Sequence, residues 1–374
     1  MNFIILLIFF LLLIFYIFGL VYLNYGLLRL NKHKEEKFFS ISIVVSMHNE
    51  ENNVEACIDS LVNQDYPKDK MEIILINDRS SDQTNNLFLD IDKKHSFIKI
   101  INIDDIKPNF APKKFAIDTA VRQAKGDIIL LTDADGRPQK SWAKIMVSYF
   151  SKDVGMVIGY APYSFKDNSF FNQLFKLEYF SHAVVAASTC GNNYPLTCVG
   201  TNMAYRKDTF LQLDGFGIFS GYHSGDDDLF LQRVRDESNW QIRYATDSDA
   251  HVYNFGPSNW KKFYQQRLRY ASKGFFYPGK VTLILMLFYL LNLFFLLLPL
   301  LAILNSGFLI AFIIGLILKI VSEVFLFYQA QRIFNSDVKI NLIPIVSILH
   351  IPYVLYFGLL AQFQKFEWAG LKRN

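Results

Sequence analysis

Asp133 and Asp135 stand one residue apart, directly after the apolar run 127–132 (DIILLT). An Asp-x-Asp on a turn aims two hard oxygen ligands at one point. Mg²⁺ or Mn²⁺ suits such a pair, because it accepts few carboxylates and completes its shell from diphosphate and water. Two more strand-like runs end in carboxylates: 40–46 (SISIVVS) leads to Glu50 and Glu51, and 71–76 (MEIILI) leads to Asp78. Further on, Asp226, Asp227 and Asp228 precede the helix-like LFLQRV. Adjacent carboxylates repel, so such a run suits a general base whose pKa is set by its neighbours. Plain helix capping is the alternative. Lys113 opens a helical stretch over 113–124, where it can meet phosphates or simply be a solvated helix-start lysine. The stretch 265–270 (QQRLRY) joins polar and aromatic groups just before an apolar segment; a basic interfacial helix is the plainer reading there.

The elements that must position these residues alternate. Strands over 40–46, 71–76, 98–103 and 127–132 are separated by helical patterns, which predicts an α/β fold with a doubly wound, mostly parallel sheet. In such sheets ligands bind beyond the carboxyl ends of the strands, where Glu50, Asp78, Asp133 and Asp135 fall. No G-x-G-x-x-G or Walker A sequence is present, so a metal rather than a glycine loop answers the phosphate problem. The three cysteines (Cys57, Cys190, Cys198) are too few for a disulfide framework, and their spacing does not suit zinc.

The 374 residues are 52% hydrophobic with 36 Phe, yet residues 1–28 and 281–318 carry no charge at all. Residues 3–23 are long enough to span a bilayer and lack the basic start and small-residue cleavage site of a signal peptide, so they read as an anchor. Positive charge follows at once (Arg29, Lys32, Lys34, Lys37, diluted by Glu35 and Glu36), which places the central region in the cytoplasm. Segments near 281–304, 307–328 and 341–363 follow. The second carries Lys319 and Glu323 four residues apart, and the third contains Pro344 and Pro352, which predict a kink or break. Three full crossings would leave Lys365, Lys372 and Arg373 outside, whereas the positive-inside rule prefers them inside; one segment re-entrant or interfacial would reconcile the two. A net charge of +4 with no basic stripe excludes a nucleic-acid partner. The expected organisation is an anchor over 1–28, a cytosolic catalytic domain with interfacial helices over 29–280, and a membrane domain over 281–374. Within the second, 165–180 reads equally as a leaflet helix or a core helix.

These motifs, in this order and with membrane segments on both sides, resemble the processive-type family 2 glycosyltransferases, a group that includes cellulose, hyaluronan, chitin and poly-N-acetylglucosamine synthases and is similar in layout to ceramide glucosyltransferases. The resemblance covers roughly 38–280. Val44–Glu51 resembles the opening strand and "N-E" loop, with His48 where an aromatic is usual. Asn77–Asp82 resembles "D-D-G-S-S-D", with Arg79 in the glycine's place. Lys113 and Ala116 match the "K-A" helix, Asp133 and Asp135 the metal pair, and Gly200–Arg206 the acceptor-side segment. Asp226 and Asp227 match the acidic pair that supplies the base, Asp227 being favoured and Asp228 leaving the register open by one. Gln266, Arg269 and Tyr270 match Q-x-x-R-W, with Tyr for Trp.

The resemblance implies a GT-A-type fold and an inverting, metal-dependent transfer from a nucleotide-diphosphate sugar, most often a uridine one, to a lipid or a growing glycan at the cytoplasmic face of the cell membrane. It implies donor binding by Glu50, Asp78, Lys113, Asp133, Gln266 and Tyr270, and catalysis by Asp227, Asp226 and Arg269. A single transfer to a lipid-linked acceptor is favoured over polymer synthesis by Tyr270 and by the few C-terminal segments. A non-catalytic nucleotide-sugar sensor and a transporter are the rivals from other classes. The intact set Asp133, Asp135, Asp227 and Arg269 argues against the first, and the lack of a second membrane half argues against the other.

Overall fold

Short runs rich in Ile, Val and Leu form the centre of the molecule, because only a sheet covered on both faces buries such runs completely. A computed structural model describes residues 2–31, 34–35, 37–92, 94–272, 277–364, 366–368 and 371–373; Lys32, Glu36 and Lys365 lie outside them. In chain order, the first half comprises α1 (Asn2–Leu28), β1 (Ile41–Met47), α2 (Val54–Val62), β2 (Met71–Asp78), α3 (Thr84–Asp92), β3 (Ile98–Ile103), α4 (Pro112–Gln123), β4 (Ile128–Leu131), β5 (Arg137–Pro138) and α5 (Trp142–Ser148). Then come β6 (Val154–Gly159), β7 (Tyr163–Ser164), α6 (Phe170–Gly191), β8 (Met203–Arg206), α7 (Lys207–Gln212), α8 (Asp228–Glu237), β9 (Gln241–Ala245), β10 (Val252–Phe255) and α9 (Trp260–Ser272). The chain closes with α10 (Gly279–Leu301), α11 (Gly307–Phe334), α12 (Ile343–Leu360), β11 (Phe366–Trp368) and β12 (Leu371–Arg373).

The main sheet runs β3-β2-β1-β4-β8-β6-β9. Its first four strands are parallel, with Val44 of β1 beside Ile74 of β2 and Leu131 of β4, and β8 is antiparallel to both its neighbours. The chain builds outward from β1 through β2 to β3, then returns to the other side of β1. That reversal opens a crevice at the carboxyl ends of β1 and β4. Pro112 starts α4 in the first turn, where no N–H is needed, and turns Ala116, Ile117, Ala120 and Val121 onto the sheet.

The stretch 165–180 resolves into the core alternative over most of its helical part. Its helix begins at Phe170, capped by Ser169, and continues to Gly191. Leu177, Phe180, Val184 and Ala187 are buried in the same core as the sheet, while Phe170 and Phe171 stay exposed. The anchor α1 packs across the far end of this helix at a point where backbones touch. A Cβ on Gly26 would stand 1.9 Å from the Ser188 carbonyl oxygen, and one on Gly191 would stand 1.9 Å from the Gly26 oxygen. Asn192 locks the crossing by donating to the Tyr22 carbonyl (2.8 Å).

Among the described residues, four helices are long and apolar enough to cross a membrane: α1, α10, α11 and the segment 340–360 that contains α12. Pro344 and Pro352 do not break the last one. Pro344 occupies its first turn, and Pro352 is accommodated inside one continuous helix. Lys319 donates to Glu323 (2.6 Å), which also accepts from Tyr16 of α1 (2.5 Å) and from Ser347 of α12. This buried ion pair is therefore fully partnered, as a low-dielectric site demands.

The Gly26 crossing gives a paired prediction. Gly26→Val should lower the melting point of the detergent-solubilised protein by the equivalent of about 1–3 kcal/mol. Gly19→Val, whose added side chain meets nothing within 4 Å, should leave it unchanged.

Candidate active site

The crevice is built by three loops and one helix start. After β1 the chain turns through Asn49 (φ 56°), and after β2 through Arg79 (φ 54°). The two loops are stitched together: Ser81 N–H donates to Asn49 Oδ1 (2.8 Å), Glu50 N–H to Thr84 Oγ1 (2.9 Å), and Gln83 N–H to Glu51 (3.0 Å). Arg79 holds a left-handed conformation that glycine would adopt without strain, and its guanidinium folds back onto the buried Asp78 carboxylate (2.8 Å). His48 reaches the Asp78 carbonyl through Nδ1 (2.6 Å). The interaction thus runs to the backbone of the Asp78 loop.

Asp133, beyond the end of β4, is gripped on both oxygens. Lys113 donates to Oδ1 (2.8 Å) and Thr201 to Oδ2 (2.5 Å). Lys113 also pairs with Asp226 (2.9 Å), so one ammonium at the start of α4 joins the end of β4 to the loop before α8. Val44, Lys113, Asp133, Gly200 and Asp226 line a small pocket there. The other two acidic neighbours are held by hydrogen bonds around the start of α8. Asp227 is the N-cap of α8, accepting from Asp228 N–H (2.7 Å) through one oxygen and from Gly200 N–H (3.2 Å) through the other. Asp228 is buried and accepts from Thr197 Oγ1 (2.8 Å) and Cys198 N–H (2.9 Å). Asp226 thus pairs with Lys113 beside the Asp133 loop, while Asp227 caps α8.

Gln266, Arg269 and Tyr270 lie on a different element, α9. Gln266 accepts from Tyr163 (3.0 Å), and the Tyr270 ring lies 5.2 Å from the Arg269 guanidinium and 5.6 Å from His182. Two residues near the crevice were not singled out for it from sequence. Thr201 was read as acceptor-side only. Arg137, two places after Asp135, fastens the Asp-x-Asp turn by donating to Ala134 O (2.9 Å) and Gly136 O (2.8 Å) and ties it to Asn53 (3.0 Å). A cation two residues beyond an Asp-x-Asp was the available signal.

Residues 42–213 match the Glycosyl transferase family 2 model, and residues 128–360, more than half of the chain, match that of Glycosyl transferase family group 2. The chain is a family 2 glycosyltransferase. It is 27% identical over 235 residues to the probable glycosyltransferase YdaM of Bacillus subtilis, a match covering 62% of this chain and 54% of that one. It is 30% identical over 138 residues to a poly-beta-1,6-N-acetyl-D-glucosamine synthase of Staphylococcus epidermidis (36% and 31% covered). A Methanococcus voltae relative, 29% identical over 114 residues (30% and 34% covered), is a dolichyl N-acetyl-alpha-D-glucosaminyl phosphate 3-beta-D-2,3-diacetamido-2,3-dideoxy-beta-D-glucuronosyltransferase. The enzyme thus spans about half or less of the length of these curated relatives. Among solved structures, the mannosyltransferase PcManGT from Pyrobaculum calidifontis, in complex with GDP-Man and Mn²⁺, superposes with a TM-score of 0.56 at 17% identity, covering 93% of this chain and 99% of that one. That likeness confirms the GT-A-type fold.

The glycosyltransferase crowds negative charge at this edge. Burial first, then Asp133 and Glu50, push the Asp135 carboxyl up to about 6. Burial also raises Glu50, against a hydrogen bond from Asn53, and Asp133 adds to the rise. Desolvation works to lower the Lys113 ammonium, but Asp133 and Asp226 reverse that and hold it above the usual range. Among the described residues no three Asp, Glu, His or Cys groups converge as a metal cluster. A cation at Asp133 and Asp135 would therefore draw its other ligands from diphosphate and water, as a magnesium-type ion does. The hard carboxylate pair, whose negative charge Lys113 offsets only in part, fits that ion.

The split among the three aspartates is testable by stability alone. Asp227→Ala should lower stability by about 1 kcal/mol through loss of the cap. Asp226→Asn should change it by less than about 1 kcal/mol, since the loss of a partly buried ion pair is offset by relief of repulsion from Asp133. Thermal melting of the purified protein reads both.

Proposed function

We propose that this enzyme performs an inverting transfer of a sugar from a nucleotide-diphosphate donor, most simply a UDP-sugar, to a hydroxyl of a lipid or lipid-linked acceptor at the cytoplasmic membrane face. The observation that carries the reading is the Asp226–Lys113–Asp133 bridge, which sets a carboxylate able to accept a proton beside the place where a diphosphate would be held. Asp226 takes the acceptor hydroxyl proton as that oxygen bonds to the anomeric carbon and the nucleoside diphosphate departs from the opposite face. Lys113 pairs with Asp226 before substrate arrives and offers its charge to the phosphates afterwards. Glu50 and Asp78 meet the nucleoside side of the donor, with Gln266 and Tyr270 closing over it. Arg269 meets negative charge developing on the leaving diphosphate. Mg²⁺ or Mn²⁺ at Asp133 and Asp135 would supply Lewis-acid stabilisation of that diphosphate. The Pyrobaculum neighbour holds GDP-Man and Mn²⁺, and the Methanococcus relative is named for a dolichyl-linked acceptor; both fit this class of reaction.

The membrane arrangement belongs to the same proposal, with 1–28 as anchor, 29–280 as catalytic domain and the remainder from 281 held at the membrane. In this reading α1, α10 and α11 cross, and α12 does not. Phe334, at the end of α11, packs on Tyr160, Phe180 and Tyr244 of the catalytic domain, which puts the start of α12 on that side. Its far end returns there: Phe357 and Ala361 pack with Phe263 and Leu268 of α9, and Tyr264 donates to Gln364 (2.7 Å). Between these ends α12 lies across α10 rather than along it. His350 meets Phe288, while both Leu355 and Gly358 meet the next residue, Tyr289. A helix running parallel to α10 would advance its contacts residue for residue. The tail then joins the catalytic side, as the positive-inside rule prefers. The three crossings pack through a filled apolar core that includes Phe9, Leu13, Phe295 and Phe308, which favours a lipid-linked product over a polymer threaded through this chain.

Asp226→Asn should reduce turnover by about 100-fold or more while nucleotide-sugar binding persists, and chelation of divalent ions should abolish transfer until Mg²⁺ or Mn²⁺ is restored. Full activity in Asp226→Asn with loss in Asp227→Asn would return the base to Asp227. Mass spectrometry of the products should find one added sugar on a membrane lipid; a ladder would favour a processive synthase. Membrane-impermeant thiol labelling of intact cells should modify Ile303→Cys, between α10 and α11, but not a cysteine added after Asn374.

A further inference from the structure

Arg267 lies inside the Gln266–Tyr270 motif but outside its chemistry. Its side chain is 0% exposed and pairs with Glu178 of α6. The guanidinium also faces the rings of Phe263 (4.8 Å) and Tyr270 (5.5 Å). The second Glu178 oxygen accepts from Tyr353 of α12 (3.3 Å), with His182 Nε2 at 3.8 Å. Three helices therefore meet at one buried carboxylate. Burial works to raise that carboxyl, yet Arg267 and His182 hold it down to about 2. The flanking motif residues rest on the same part of α6. Gln266 is held by Tyr163, whose ring stacks on Tyr179 at 3.9 Å, and Tyr270 lies beside His182. Residues 267 and 269 project about 200° apart around a helix. Fixing Arg267 inward therefore fixes the direction in which Arg269 leaves the opposite face.

We propose that Glu178 and Arg267 are positioning residues for sugar transfer, their buried pair setting the pose of α9 and so of Arg269 against the donor diphosphate, with Tyr353 carrying the same constraint from the membrane helix α12. This rests on the reading that Arg269 acts at the diphosphate. A buried guanidinium that loses its carboxylate is left uncompensated, and α9 must shift or tilt to solvate it.

The test is a double-mutant cycle on the full-length enzyme in detergent, using the donor and lipid acceptor that support transfer and counting only folded enzyme. Glu178→Gln should lower kcat about tenfold or more with donor KM nearly unchanged. In an Arg269→Ala background the same change should cost less than about twofold, because nothing remains to be positioned. Tyr353→Phe, which removes one hydroxyl, should show a smaller loss with the same dependence on Arg269, and it carries the test if Glu178→Gln does not fold. Equal losses in both backgrounds would overturn the positioning role while leaving Arg269's own role standing. An Arg269→Ala enzyme with unchanged kcat would remove the role given to Arg269, and the positioning proposal with it.

Discussion

Carboxylates from distant parts of the chain meet at one sheet edge, and Lys113 is what makes that meeting tolerable. Glu50, Asp133, Asp135 and Asp226 would repel strongly in a partly dry crevice. A single ammonium within 3 Å of both Asp133 and Asp226 offsets part of that repulsion and aligns the loop before α8 with the end of β4. The rest of the catalytic architecture serves this arrangement. The sheet reverses direction beside β1, Pro112 starts α4 at the crevice, Thr201 takes the second Asp133 oxygen, and Asp227 caps α8 so that Asp226 faces inward. The crevice retains a local excess of negative charge at Asp135 and Glu50, the kind of site a divalent cation with a diphosphate would neutralise.

The long apolar helices are joined to this domain by close contacts. Backbone meets backbone where α1 crosses α6 at Gly26 and Gly191. Phe334 inserts among catalytic-domain aromatics, and Glu178 gathers α6, α9 and α12 at one point. The network of Tyr16, Lys319, Glu323 and Ser347 ties α12 to two other helices, because a buried ion pair in hydrocarbon is stable only with all its partners in place.

Much of this was legible beforehand. Long uncharged runs announce membrane helices because hydrocarbon rejects charge. Strand-end carboxylates announce the crevice because a parallel sheet presents its carboxyl ends together. Three details were not legible. Identical adjacent residues at 226–228 differ only in direction, which a cap and two loop N–H groups decide. Arg267 resembles any arginine of a basic interfacial helix until its burial against Glu178 is seen. Pro352 predicts a kink or a break, and α12 runs through it as one continuous helix.

Residue types and their order along the chain determined the α/β class, the apolar segments and the Asp-x-Asp pair, since each depends on local periodicity or on spacing within a few residues, and together they carry the resemblance to family 2 glycosyltransferases. The tertiary structure alone decided which aspartate pairs with Lys113, that Glu178 and Arg267 form a pair, and that α12 is one helix packed on α9, α10 and α11. Those outcomes depend on the directions of side chains and helices brought together from far apart in the chain, and no local pattern encodes a direction in space.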